Sequence, residues 1–308
     1  MTEPIAILNP LYDVVFRYMM DDKRVARLVL TAITGEDIID LDFSSTEQSL
    51  KIGEAEITVT RMDFQARIRQ ADNTEKLVLI ELQKARLYRQ IGRFRRYLGQ
   101  QYQRNNPLPE APEITPLPIY PIYILGEPYS ENGIPVVRVR RDSYDVSTGK
   151  IIPERHPFIE ALTHDAIIIQ TTYITGKRRT ELERFLSIFD QSAISDAKGH
   201  ILTLNEADFP AAYGPVIRRL QHALAHPQLE DNMDFEDEVI VEFEKKDAQI
   251  LAMRQLAEEA QRKQEEAQRK QEEAQRMLVQ LLSKQGLDAS AIANQTGLDM
   301  ELIEHLLE

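Results

Sequence analysis

The chain has 308 residues, is 43% hydrophobic, carries a net charge of −13 at pH 7 and contains no cysteine. That length suits two domains or one domain with large appendages, and the apolar fraction is enough to bury a core. Disulfides, thiolate catalysis and cysteine zinc sites are excluded. No apolar run reaches membrane-helix length, and the opening MTEPIAILNP lacks a basic stretch followed by an apolar one. A cytoplasmic chain with no membrane partner is the expectation.

The charge is unevenly spread, which matters more for nucleic-acid contact than the sum. Between Arg61 and Arg104 there are eleven Lys/Arg against four Asp/Glu, whereas Glu230 to Asp247 holds nine acids against two lysines.

In chain order, Asn9-Pro10 reads as the start of a helix running to about Ile33 and capped by Gly35. Ile38 to Phe43 reads as a short strand. Glu56 to Ile68 alternates, with Met62, Phe64, Ala66 and Ile68 on one face and Asp63, Gln65 and Arg67 on the other. Turn residues 70–74 lead to a strand over Lys76 to Gln83. Arg86 to Arg104 predicts an amphipathic helix. Its stripe is Leu87, Ile91, Phe94 and Leu98, and Arg86, Arg89, Arg93 and Arg96 lie roughly opposite. After a Pro-rich connection, Ile119 to Leu125 is an apolar strand. The order is α-β-β-β-α-β.

Residues 126 to about 226 are mixed, with a strand over Ala166 to Ile174 and helices over Thr180 to Phe189 and Gly214 to Ala225. From 247 to 282 the heptad EEAQRKQ recurs, with Glu259/Lys263 and Glu266/Lys270 among favourable i,i+4 pairs. Ala260, Ala267, Ala274 and Leu281 share one heptad position and Ala257, Gln264, Gln271 and Leu278 the other. Such a seam buries little apolar surface, so a solvated helix and a coiled coil are equally compatible with it. The last segment has a helix-turn-helix outline around Gly297. Its second helix holds Asp299, Glu301, Glu304 and Glu308 but no Lys or Arg, so a protein–protein cap fits better than DNA contact.

Chemistry concentrates at the strand pair around Asp72. Asp63 and Glu81 stand nine residues to either side of it. A hairpin symmetric about that turn sets them opposite one another, with Cβ atoms about 4.5–5.5 Å apart. Two carboxylates so placed repel, and a shared proton or a cation relieves the repulsion. A hard ion such as Mg²⁺ suits these oxygens. Gln83 falls on the same strand face as Glu81. Each acid alone is also an ordinary solvated strand residue; the mirrored placement is what distinguishes them. His222 and His226 have metal-compatible i,i+4 spacing, but no HExxH pattern accompanies them, and a structural role is the better reading.

Asp63, the strand carrying Glu81-Leu82-Gln83, and the helix with Arg93-Phe-Arg-Arg-Tyr97 together resemble the PD-(D/E)XK nucleases. The closer resemblance is to the recombination-promoting nuclease and transposase-like branch, whose N-terminal D-x-x-F element is matched by Asp13-Val-Val-Phe16. It covers roughly residues 8–125. It implies that Asp63 and Glu81 hold Mg²⁺ (or Mn²⁺), with the Leu82 carbonyl a third ligand and Asp13 an outer one. It also implies an ion that polarises the scissile phosphate and activates water. The superfamily carries Lys where this chain has Gln83, and Gln83, Lys84 and Arg93 are the alternatives for the lysine's role. The arginine face (Arg86, Arg89, Arg93, Arg96) would grip DNA phosphates without reading sequence.

The expected fold class is α/β (α+β mixed sheet), with a restriction-endonuclease-like αβββαβ core at 1–126. A mixed extension (127–246), a charged helix (247–282) and a helical cap (283–308) follow. The expected function is Mg²⁺-dependent DNA endonuclease with low sequence specificity, in recombination, transposition or defence, assembling as a homo-oligomer through the C-terminal helix. The alternative is an inactive nuclease-fold DNA-binding or scaffold protein.

Overall fold

A computed structural model describes residues 4–43, 47–52, 55–61, 64–84, 90–103 and 116–307. They form two compact units, 1–241 and 242–308.

In the first unit, β1 (Pro4–Leu8) precedes α1 (Asp13–Met20) and α2 (Lys23–Thr34). The single helix expected from Asn9 is therefore two. The break lies where Asp22 caps α2, accepting from the Arg24 and Val25 N–H groups at 2.8 and 3.1 Å. Asn9 is not a helix cap. It is buried, accepts from Leu11 N–H and donates to Gln191 and the Gly199 carbonyl, so it ties the chain's entry to a distant loop. Gly35 closes α2 at φ 71°, as its position predicts.

Strands β2 (Ile38–Phe43), β3 (Glu47–Ile52), β4 (Ala55–Arg61), β5 (Phe64–Gln70) and β6 (Glu75–Gln83) follow. The alternating run from Glu56 to Ile68 is thus two strands, and β4 pairs back on β3 in a hairpin of their own. Next come α3 (Gln90–Gln103), β7 (Ile119–Leu125), β8 (Val136–Val139), β9 (Ser143–Tyr144), β10 (Ile151–Ile152), α4 (Pro157–Leu162), β11 (Ala166–Gln170), α5 (Glu181–Leu186), β12 (Ile201–Asn205) and α6 (Gly214–Ala223). The main sheet is mixed and six-stranded, in the order β2-β5-β6-β7-β11-β8. Pairing is antiparallel from β2 through β6, parallel from β6 through β7 to β11, and antiparallel to β8. Two strands from the 127–246 segment therefore belong to this sheet, and β12 pairs with β1.

The sheet has two differently covered faces. Val78, Ile80 and Leu82 of β6 join the large core with Val15, Phe16 and Met19 of α1 and Val29 and Leu30 of α2. Leu77 and Leu79 of the same strand join a smaller core with Phe94, Tyr97 and Leu98 of α3. Period-two alternation assigns each residue of β6 to one layer. The α3 stripe is Phe94, Tyr97, Leu98 and Gln101. Ile91, expected in it, is 57% exposed, because Phe94 and Tyr97 set the buried arc further round.

Helix α7 (Pro227–Lys284) runs on into the second unit, where α8 (Ala289–Thr296) and α9 (Met300–Leu307) follow. Val279, Leu282, Ile292 and Ile303 make a small core there, and Gly297 turns the chain at φ 70°. Lys263–Glu259 and Lys270–Glu266 pair at 2.7 Å on the heptad tract. No described helix is long and apolar enough to cross a membrane.

Candidate metal and nucleic-acid site

The β5–β6 hairpin turns at Asp72-Asn73. Thr74 N–H and hydroxyl donate to Asp72, and Asn73 takes φ 63°, a conformation that asparagine tolerates better than most residues. The pairing Phe64↔Ile80, Gln65↔Leu79 and onward to Arg69↔Glu75 is equidistant from Asp72 throughout, which is the symmetric register that the turn residues predict. Arg67 and Arg69 both reach Glu75 at 3.0 Å. Asp63 lies outside the described residues.

Glu81 sits on β6 opposite Tyr123 of β7 and is 2% exposed. Burial, and then the neighbouring Glu81 charge, push the Tyr123 hydroxyl pKa upward. By strand alternation Glu81 and Gln83 share the α3 side with Leu77 and Leu79. Gln65 is buried on that side too, accepting from Gln101 Nε2 of α3 at 3.0 Å. The Gln101 Oε1 is buried and finds no hydrogen-bond partner among the described residues. Under α3 there is thus a polar strip of Glu81, Gln65 and Gln101 in a layer otherwise built from Phe94, Tyr97 and Leu98. Leaving a buried group such as Gln101 Oε1 unpaired costs about 1–3 kcal/mol. Gln65 and Gln101 were not singled out from sequence, although Gln65 falls on the Asp63 face of the alternation.

Two glycine-permitted contacts fix the end of β6. Gly126 N–H donates to the Gln83 carbonyl at 2.6 Å. A Cβ at Gly126 would lie 2.1 Å from the Lys84 carbonyl oxygen, so only glycine fits.

Lys84 leaves this face, as alternation predicts. Its ammonium lies 3.4 Å from the centroid of the Tyr12 ring and pairs with Asp237. Asp237 also receives the Tyr12 hydroxyl at 2.9 Å and lies 3.0 Å from His200 Nε2. These partners hold the Asp237 carboxyl below the usual carboxylate range despite its burial. Beside it, Glu236 accepts from the Asp13 and Val14 N–H groups at 3.0 and 2.8 Å, capping α1 from 223 and 222 residues away.

Asp13 therefore belongs to the α1 terminus, where it pairs with Arg17 at 2.7 Å. Its helix packs on the face opposite Glu81, so the structure does not bring it to the Glu81 strip. Of the arginines, Arg96 is exposed on α3 and Arg93 falls within α3, though its side chain is outside the described set; Arg86 and Arg89 also lie outside the described residues. His226 contacts the Tyr18 hydroxyl at 3.2 Å. Among the described residues, no group of three or more His, Cys, Asp or Glu is placed to hold a metal ion. The donors that Glu81, Gln83 and the Leu82 carbonyl offer are all oxygens, the chemistry a hard divalent cation takes.

No family model, curated protein or solved structure matches the chain.

Proposed function

We propose that the protein is a Mg²⁺-dependent DNA endonuclease of weak sequence preference, built on a restriction-endonuclease-like core of α2, β2, β5, β6, α3 and β7. The observation that carries the reading is the β5–β6 register, symmetric about Asp72 over every described pair. Asp63 lies outside the described residues; on this reading it continues that register by one pair, opposite the buried Glu81. Apart from the β3–β4 hairpin inserted between β2 and β5, the elements from α2 to β7 run α-β-β-β-α-β, with β2, β5, β6 and β7 adjacent in the sheet.

In this reading the Asp63 and Glu81 carboxylates and the Leu82 carbonyl hold the ion, and Asp13 drops out of the ligand set. When bound, the ion supplies phosphate polarisation and a more acidic water. Gln83, on the Glu81 face, orients that water. With Lys84 committed to Asp237 and Tyr12, Arg93 is left to supply the positive charge. Arg96, with Arg86, Arg89 and Arg93, contacts DNA phosphates. The C-terminal helix joins copies of the chain through Leu278 and Leu281, both exposed. Mass measurement with and without residues 247–308 checks that.

The test is nicking of supercoiled plasmid with Mg²⁺, against Asp63→Ala, Glu81→Ala and EDTA. Nicking by the native chain alone is the expected result; equal nicking in every arm removes the enzymatic reading. A second reading, a non-cutting DNA-binding or scaffold protein, is favoured by one feature: Gln83 stands where the superfamily carries Lys, and among the described residues no lysine faces the Glu81 side at the end of β6. DNA retention without cleavage under any divalent metal would favour it.

A further inference from the structure

A second cationic site lies in the helical layer packed on the large core, on the opposite side of the sheet from Glu81. Helices α2 and α6 pack together there and leave a cleft of about 290 Å³ whose walls include Asp22, Arg24, Arg218, Arg219 and His222. On α6, the residues Arg218, Arg219 and His222 fall at i, i+1 and i+4, on the side away from the buried Val216, Ile217 and Leu220. That spacing alone describes a wet helix face. Three further facts set it apart.

Arg219 is preorganised. Its Nε donates to the Tyr18 carbonyl at 3.0 Å and its guanidinium lies 3.8 Å from the Tyr18 ring centroid, which fixes the fork at the cleft wall. Arg24 and Arg218 have no ion pair or side-chain hydrogen bond among the described residues, although the chain carries 50 acids to 37 Lys/Arg. The one acid in the cleft, Asp22, is already accepting from the α2 N–H groups of Arg24 and Val25. Three guanidiniums thus line a cleft that holds a single carboxylate, Asp22, with one oxygen already taken up by the α2 N–H groups. Convergent like charges are relieved by a bound counter-charge. A tetrahedral phosphate presents several oxygens to separate guanidinium forks, which a carboxylate does not.

We propose that the α2–α6 cleft binds the terminal phosphate of a small phosphorylated ligand such as a nucleoside monophosphate. The volume is at the lower edge of ordinary ligand pockets, about 300–1,000 Å³, so it suits a phosphate group with the rest of the ligand outside. This site shares no residue with the nuclease reading and stands or falls separately from it.

The experiment is calorimetric titration of the full chain with inorganic phosphate and with adenosine monophosphate in chloride buffer, with a blunt DNA duplex lacking terminal phosphates as a third arm. The comparison variant is Arg24→Gln/Arg218→Gln; both side chains are exposed, and its fold is checked by circular dichroism. Saturable binding of both phosphate probes, weakened at least about tenfold in the double variant, is the expected result. Arg219→Lys, which keeps the charge and loses the fork, should weaken binding as well. No saturable phosphate binding, equal binding in the double variant, or dependence of duplex binding alone on these arginines would overturn the assignment.

Discussion

Replacing Asp237 by alanine removes the acceptor on which three donors converge. The Tyr12 hydroxyl and His200 Nε2 lie 2.9 and 3.0 Å from one of its oxygens, and the Lys84 ammonium pairs with the other. Tyr12 and His200 are both buried, so neither can turn to water. A hydrogen bond to a charged group contributes about 1.5–3 kcal/mol, and breaking a fully buried ion pair costs about 3–5 kcal/mol. Asp237 keeps 34% of its side chain exposed, which lets water recover part of that. About 3 kcal/mol is therefore the expected loss. For a unit of 241 residues, at roughly 2–4 °C per kcal/mol, Tm falls by about 9 °C. Asp237→Asn retains an acceptor for Tyr12 and should lose clearly less. Thermal unfolding of both variants is the assay. A loss under about 1 kcal/mol for alanine, or identical losses for the two variants, would refute the view that α7 is anchored through this network.

Two other outcomes follow from the same region. Burial raises the Glu236 carboxyl to about 7, against the pull of the Asp13 and Val14 N–H groups. A pKa raised on folding means stability that is present below the ordinary carboxylate value and lost as pH rises to about 7. Glu236→Gln should therefore gain Tm relative to the native chain between pH 5 and pH 8, and a difference that is flat or reversed would count against the buried cap. Gly126→Ala drives a Cβ into the Lys84 carbonyl and breaks the hydrogen bond to Gln83. It should cost on the order of 2 kcal/mol or more in unfolding experiments, and should lower plasmid nicking by displacing Gln83; unchanged stability would show that the strand ends part freely.

The β5–β6 hairpin was legible because three local signals agree: Asp72-Asn73 turn chemistry, alternation over Phe64 to Ile68, and an apolar run over Leu77 to Leu82. The opposite orientation of Lys84 followed from the same alternation. Other elements depended on partners too distant to read. β1 is a strand because β12 lies beside it, and Asn9 is satisfied by Gln191 and Gly199 rather than by a helix. The break between α1 and α2 had a local signal in Asp22, outweighed by an apolar periodicity that runs across it. The buried arc of α3 was misplaced by counting Ile91 as core, since periodicity gives the width of a stripe better than its centre. Asp13 enters as an outer ligand only through the match of Asp13-Val-Val-Phe16 to the D-x-x-F element, and nothing near it in the chain announces that Glu236 caps its helix.

Titration of Mn²⁺ into the full chain, followed by electron paramagnetic resonance, bears most directly on the proposal that Asp63 and Glu81 share one ion. The account predicts a single Mn²⁺ bound per chain, lost in Asp63→Asn and in Glu81→Gln and retained in Asp13→Asn. Binding that survives both of the first two substitutions, or no binding by the native chain, would contradict it.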